Sequence, residues 1–502
     1  MSAQPAEDEE RRSNTRPADW RNPKPLVPYH LLVIGAGPAG LVAARAAAAM
    51  GARVALVERY QLGGGSLNDG CIASKSLIRT GCLLADMRNA VNFGAVAPSE
   101  VVFDFAAAML RMRRITTRIS RNDSAMNLAR DGIDLFFGNA RFTGPDTVDV
   151  DGVRLRFKKA LIATGSSPVL PDIPGLAEAG FLTSATVFDL QVLPKSLMVI
   201  GGGPLGCELA QVFARFGSRT LISHSEPLFL PLEERDAAQM VSDAMARDGV
   251  EIHLNSAVTS VRLDGGQKLV ELRSAGNVAS TRVDQILTGI GRRPAVQGLG
   301  LEVAGVSFDA QSGIHVDDFL CTSNPRIFAA GDVCLEHRFA NAAAESARIV
   351  VRNALFLGRQ RLSALTIPWC TYTDPEIAHV GMYVKEARKQ RIPVKTFTIP
   401  MHDVDRAITD SEEDGFVKIH VREGSDQILG ATIVARHAGE MINSVSLAMV
   451  AGIGLQKLAS VVHAYPTQGA AVRQAADAYV KTRLSPSMVT VVRRWLQRHP
   501  GR

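Results

Sequence analysis

Three short patterns in the sequence place reactive or ligand-binding groups at spacings that chemistry could use. Two are glycine turns: Gly35, Gly37 and Gly40 in GAGPAG, and Gly201, Gly203 and Gly206 in GGGPLG. Each follows an apolar, strand-like run (YHLLVI, KSLMVI) and opens a helical one. In that setting the first glycine makes the turn and the second lets backbone N–H groups approach a pyrophosphate. The third lets helix and strand pack closely, with the helix N-terminus facing the phosphates. Glu58 closes the next strand after the first turn, where a carboxylate can accept hydrogen bonds from a ribose. Aligning GSRTLISH with GARVALVE puts His224 at the same place in the second copy. An imidazole does not demand a free 2′-hydroxyl, and no arginine follows to clamp a 2′-phosphate, so both ribose forms stay open. The third pattern is Cys71 in GGGSLNDGCIASK, expected at the positive end of a helix with Lys75 one turn along; both favour the thiolate. Cys82, Cys207, Cys321, Cys334 and Cys370 lack metal-ligand spacing and are expected to be structural, with no metal site.

The elements that must position these groups follow from periodicity. Residues 29–58 predict strand, turn, Ala-rich helix and strand, one βαβ unit, and residues 195–225 repeat it. Between them lie a helical stretch from about Ser74 to Arg130 and a β-rich return. From Ile367 to Tyr479 alternating strands (FVKIHVRE, ILGATIVAR) and two helices predict a separate α+β domain. Residues 1–28 predict a flexible tail.

Composition sets the class. The chain has 502 residues, 46% hydrophobic and 21% charged, a globular profile that excludes a disordered, collagen-like or disulfide-stapled chain. No run reaches the roughly 18 apolar residues of a membrane span. The N-terminus has no apolar segment of the secretory type, and irregular cysteines suit a reducing, cytoplasmic setting. The net charge of +6 resides in the C-terminal tail, in Lys481, Arg483, Arg493, Arg494, Arg498 and Arg502 with no acidic residue after Asp477. A neutral body argues against a nucleic-acid groove. In that tail Met488, Val491, Val492, Trp495 and Leu496 recur at helical spacing. The expectation is a basic amphipathic helix packed on its own chain or a dimer mate, with contact to an anionic membrane surface as the other reading.

Together these motifs resemble the pyridine nucleotide–disulfide oxidoreductases, in the mercuric reductase and dihydrolipoamide dehydrogenase branch. The resemblance covers roughly residues 29–485 and also rests on ATGSSP, GGGPLGCE, LTGIGRRP, FAAGDV, WCTYTDPEIAHVGMY and HAYPTQ. It implies an α/β fold with two Rossmann-like dinucleotide-binding domains and a C-terminal α+β dimerisation domain. The implied boundaries are an FAD domain at 29–190 and 300–362, an NAD(P) domain at 191–299, an interface domain at 363–485 and a tail at 486–502. A homodimer with FAD and NAD(P)H is implied. Asp332 would bind the flavin ribityl chain, Thr164 and Gly165 would line the flavin site, and Gly64, Ala140, Gly291 and Gly331 would add cofactor contacts. Lys75 and Glu208 would pair near the flavin where hydride arrives, because a cation there holds the charge of a reduced ring.

Two departures from the family pattern direct the functional reading. The family loop C-L-N-V-G-C reads Ser66-Leu67-Asn68-Asp69-Gly70-Cys71, so serine replaces the interchange cysteine and only the flavin-proximal thiol remains. The family dyad H-P-T-x-x-E reads Tyr465-Pro466-Thr467-Gln468-Gly469-Ala470. Tyrosine, with an ordinary pKa of about 10, is a poor proton shuttle at neutral pH; Tyr465 matches a tyrosine of the mercuric reductase branch. The C-terminal vicinal cysteine pair of that branch is absent. The expected activity is electron transfer from NAD(P)H through FAD to a non-disulfide small-molecule acceptor: a quinone, oxygen, a metal ion or a second nicotinamide. Mercuric reductase-like chemistry and peroxide reduction through a Cys71 sulfenate are the alternatives within enzymes. A catalytically silent flavin-binding subunit is the alternative outside them.

Overall fold

Strand β1 (Tyr29–Ile34) is leucine-rich and buried at almost every position, which suits the middle of a parallel sheet rather than a one-faced edge. The computed structural model describes residues 6–25, 28–96, 102–274, 276–356, 358–484 and 486–499. The chain divides into two compact units. One takes the chain up to Pro227 together with Asp248–Leu365; the other takes Leu228–Arg247 and the chain from Thr366 onward.

In the first unit, helix α1 (Ala6–Thr15) precedes β1, and α2 (Pro38–Ala49) follows it. Then come β2 (Val54–Glu58), α3 (Gly64–Asn68), α4 (Cys71–Arg88) and α5 (Phe105–Ser120). Strands β3 (Ile133–Phe137), β4 (Ala140–Gly144), β5 (Thr147–Val150) and β6 (Val153–Ile162) complete the first sheet, in order β3-β2-β1-β6-β5-β4. The second glycine turn repeats the plan with β7 (Ser196–Ile200), α6 (Pro204–Phe216) and β8 (Arg219–Ser223). Adding β9 (Val250–His253) and β10 (Gln285–Thr288) gives a second, parallel sheet in order β9-β8-β7-β10. After helix α7 (Arg235–Arg247), which belongs to the second unit, a returning strand β11 (Ile327–Ala329) pairs in parallel with β6 and leads into α8 (Ala340–Leu355).

The second unit is one antiparallel sheet with helices. Strands β12 (Trp369–Thr371), β13 (Glu376–Gly381), β14 (Val394–Pro400), β15 (Phe416–Arg422) and β16 (Ile428–Ala435) lie in order β12-β13-β16-β15-β14. Helices α9 (Ala438–Val450) and α10 (Ala470–Arg483) contribute Met441, Ile442, Val445, Val472, Ala475 and Tyr479 to its core. The final helix, Pro486–Arg498, ends the described chain. No helix among the described residues is long and apolar enough to cross a membrane.

Two expectations are corrected. The segment Leu228–Arg247, expected in the NAD(P) domain, groups with the second unit. Its Glu234 accepts hydrogen bonds from Lys418 and His420, and Glu233 accepts one from Tyr383. Burial works against ionising Glu234, but the bonds from His420 and Lys418 outweigh it and hold the carboxyl near 2. Such local ties, invisible to periodicity, decide where this segment packs.

Of the flexible tail expected at 1–28, residues 6–25 instead pack on the first unit, while residues 1–5, 26 and 27 lie outside the described residues. Helix α1 lies on α5, with ion pairs from Asp8 to Arg113, Glu7 to Arg114 and Glu10 to Arg121, and Thr15 fully buried. Beyond it, Asn22 bonds both the N–H and the carbonyl of Phe137, and Trp20 Nε1 donates to Leu135. These contacts cover β3, which would otherwise be an open sheet edge. The Leu62 N–H also donates to Thr15 O, coupling the segment to the loop before α3. Deleting residues 6–25 is expected to cost roughly 1–3 kcal/mol of stability, the range for orphaning buried hydrogen-bonding groups. Thermal unfolding and flavin retention during gel filtration would check this; unchanged values in both would refute it.

Candidate functional site

The two glycine turns share one geometry. Gly35 has φ +99 and Gly201 φ +104, and a Cβ there would lie 2.4 Å from Ala163 O and 2.6 Å from Gly289 O. On Gly40 a Cβ would fall 1.8 Å from Gly35 O, and on Gly206 2.3 Å from Gly201 O. Only glycine lets each helix start that close to its strand. The middle glycines differ: a Cβ on Gly37 or Gly203 would meet nothing nearer than 3.9 Å or 3.8 Å. That open space faces the first turns of α2 and α6, where helix N–H groups lack partners of their own. A second loop narrows the first cradle, because the Gly63 N–H donates to Ala36 O and a Cβ on Gly64 would lie 2.7 Å from the Gly37 Cα.

Glu58 and His224 do the same local work. The Ala36 N–H donates to Glu58 Oε2 at 2.8 Å, and the Gly202 N–H donates to His224 Nδ1 at 3.2 Å. Tyr60 N–H holds the other oxygen of Glu58, whose burial raises its carboxyl above the usual range despite these bonds. With His224 Nδ1 accepting, the proton of the neutral ring sits on Nε2. His224 Nε2 is buried with no hydrogen-bond partner among the described residues, and so is Asn68 Oδ1 beside the first cradle. One orphaned polar atom at each turn, with the two open cradles, fits a bound dinucleotide at each.

The remaining predicted residues gather around these turns. Thr164 Oγ1 donates to Ala295 O, and Gly165 has φ +70. Ser166 Oγ donates to Asp332 at 2.6 Å, and Gly331 (φ +74) would bring a Cβ within 3.4 Å of Ala39 in the first turn of α2. Gly291, with φ +107, precedes Arg292, which holds Ser166 through its hydroxyl and carbonyl. Ala140 starts β4, half-buried against the core, two residues after the Gly138 N–H bonds Glu58 O.

Cys71 is the first residue of α4, exposed, and no cysteine in the chain is disulfide-bonded. Lys75 Nζ lies 2.8 Å from Glu208, whose side chain is 3% exposed. One heptad further along both helices, Arg215 reaches Cys82 Sγ, and Arg88 then caps Arg215 O. The seven-residue step on both chains means that α4 and α6 run parallel, locking the Lys75–Glu208 pair in register.

Tyr465 lies in the second unit, exposed, with its hydroxyl on Asp405 at 2.7 Å; that bond and the adjacent charge raise its pKa further. His463, two residues before it, has a buried Nδ1 without a partner among the described residues. Asp69 was not among the expected site residues. It sits between Ser66 and Cys71, and burial raises its carboxyl although Arg292 and Arg11 pull it down. Its signal was present in the sequence, as an acidic residue where the resembling loop carries valine.

Family comparisons agree with this geometry. Residues 29–347 match the pyridine nucleotide-disulphide oxidoreductase family, and residues 367–476 match its dimerisation domain, which supports a homodimer. The chain is 33% identical to a mercuric reductase of Staphylococcus aureus, over 90% of this chain and 83% of that one. It is 32% identical to a dihydrolipoyl dehydrogenase of Thermus scotoductus, over 90% of this chain and 98% of that one. Among solved structures, the HOCl-induced flavoprotein disulfide reductase RclA of Escherichia coli superposes with a TM-score of 0.80 at 30% identity. That match covers 89% of this chain and 99% of the other. With FAD and NAD(P)H as the family's cofactors, the chain belongs to the pyridine nucleotide-disulphide oxidoreductases.

Proposed function

We propose that this oxidoreductase passes electrons from NAD(P)H through FAD to an acceptor other than a disulfide. The observation that carries the reading is Ser66 in the position that the family resemblance gives to the interchange cysteine. Serine cannot form a mixed disulfide, and Cys71 is the one thiol of that loop. Ser66 borders a cavity of about 310 Å³ whose walls are largely aliphatic (Leu41, Val42, Leu67, Ile72 and Ile119), with the Arg45–Asp123 ion pair at its side. Aliphatic walls suit a flat apolar acceptor, so among quinone, oxygen, metal ion and second nicotinamide the quinone is favoured.

FAD supplies the exchange between a two-electron hydride donor and the acceptor. The chain's own residues hold and tune it. The turn at Gly35, Gly37 and Gly40 with Gly64 receives the FAD pyrophosphate, Glu58 its ribose and Asp332 the ribityl region. Gly201, Gly203 and Gly206 receive that of NAD(P)H. Lys75, kept in register by Glu208, offers its cation to the negative charge of a reduced ring. Tyr465, its hydroxyl bonded to Asp405, is a poor proton source. Asp69, between Ser66 and Cys71 and with its carboxyl raised by burial, is the candidate donor to the reduced acceptor.

Anaerobic titration with NADH or NADPH is the deciding measurement. Uptake of two electrons per subunit followed by reoxidation with a soluble quinone is expected, with no turnover of lipoamide. Uptake of four electrons, or lipoamide turnover, would overturn the reading. Cys71→Ser is expected to leave quinone turnover unchanged; its loss, with peroxide reduction in the parent, would favour the single-cysteine route.

The raised carboxyl of Asp69 sets a pH dependence. A donor must be protonated, so quinone turnover is expected to fall as pH rises through a value above the ordinary carboxylate range. In Asp69→Asn that limb should vanish and turnover drop roughly 10²-fold or more, with flavin reduction by NAD(P)H unchanged. A retained limb in the variant would remove Asp69 from the role.

His224 presents a donor where Glu58 presents an acceptor, so a 2′-phosphate meets no carboxylate repulsion. Both NADH and NADPH are expected to reduce the flavin. His224→Glu should weaken binding of 2′,5′-ADP roughly 10-fold or more while sparing 5′-AMP, read by calorimetry on the flavin-loaded protein. Equal losses for both ligands would refute this.

A further inference from the structure

The C-terminal helix α11 (Pro486–Arg498) is amphipathic, with its apolar side half exposed. At about 100° per residue, Met488, Val489, Val491, Val492, Trp495 and Leu496 fall in one arc of less than half the helix circumference. Ser487, Thr490, Arg493, Arg494, Gln497 and Arg498 fill the opposite arc without exception. Each of the six apolar side chains keeps 43–66% of its surface exposed. Half exposed on its own chain, the stripe leaves its cover to a dimer mate or to a lipid surface. Trp495 stacks on His499 with ring centroids 5.0 Å apart, extending the apolar arc by one turn.

We propose that α11 seats the enzyme on an anionic lipid surface. Charge selects this occupant. From Ala478 to the end of the sequence every ionised side chain is basic, and Arg493, Arg494 and Arg498 flank the apolar arc on both sides. An isologous contact with a second copy would set these arginines against their own equivalents, whereas phosphate headgroups complement them. Valine, leucine and tryptophan would enter the headgroup–acyl boundary while the arginines reach lipid phosphates, the arrangement of a helix lying in the interface plane. Arg502 adds to the same charge excess but lies outside the described residues. A homodimer carries two such helices, and two weak anchors on one particle retain it better than one. The inference does not depend on which acceptor the flavin serves.

The test is flotation of the full-length, FAD-loaded protein with vesicles of phosphatidylcholine alone or mixed with phosphatidylglycerol. Expected are co-flotation with the mixed vesicles only, release by high salt, and a blue shift of tryptophan emission on binding. Val492→Glu with Trp495→Glu should abolish flotation while FAD content and the sedimentation coefficient stay unchanged. Replacing Arg493, Arg494 and Arg498 by glutamine should weaken binding roughly 100-fold, at about tenfold per one and a third interfacial charges lost. Failure of the parent to float with phosphatidylglycerol vesicles would overturn the proposal. So would dissociation of the glutamate variant into monomers, which would assign the face to the second copy.

Discussion

The carbonyl oxygen of Gly35 occupies the space in which residue 40 would carry its Cβ, and the same contact recurs between Gly201 and Gly206. This approach fixes where α2 and α6 begin, at the tips of β1 and β7, and so aims two helix N-termini at two open cradles. It also sets the distance from each turn to the end of the following strand. Glu58 and His224 can therefore both take a backbone N–H from the middle of their turn. A methyl group at Gly40 or Gly206 would push the helix off its strand, and each of these relations would fail together.

The two nucleotide folds are then tied by a helix pair as well as by the short antiparallel pairing of Ser166–Pro168 with Arg292–Pro294. Helices α4 and α6 run parallel in a seven-residue register, with Lys75 on Glu208 and Cys82 beside Arg215. Glu208 is nearly buried, and a buried carboxylate is tolerable because a cation and its hydrogen bond accompany it. The same helix that carries Lys75 begins with Cys71, so one element presents both the thiol and the charge. Serine at position 66 leaves this frame undisturbed, so the proposed transfer to a non-disulfide acceptor is compatible with the nucleotide half.

Much of the site was legible because glycine spacing, strand-end polarity and the Cys71–Lys75 step are local patterns with local causes. Asp69 was overlooked because its significance lies in burial beside Arg292 and Asp189, which are distant in sequence. The N-terminal segment looked like a solvated tail because its charges balance. They pair instead with Arg113 and Arg114 on α5 and with Arg121 just after it, and Asn22 completes the edge of β3. The stripe in α11 was readable from spacing, whereas its exposure was not.

By itself the sequence determined two βαβ glycine turns, an α+β C-terminal domain, the identity of the side chains at Glu58, His224, Ser66 and Cys71, and the basic character of the tail. These follow from residue type and short-range periodicity, which a single strand or helix expresses whatever surrounds it. The Lys75–Glu208 pair was implied by the family resemblance and is seen at 2.8 Å; only the tertiary structure decided the raised carboxyl of Asp69 and the orphaned nitrogen of His224. It also decided that Leu228–Arg247 joins the second unit and that Trp20 and Asn22, beyond α1, cover the edge of β3. Each of those depends on which groups lose water together, and burial is a property of the packed chain rather than of any segment of it.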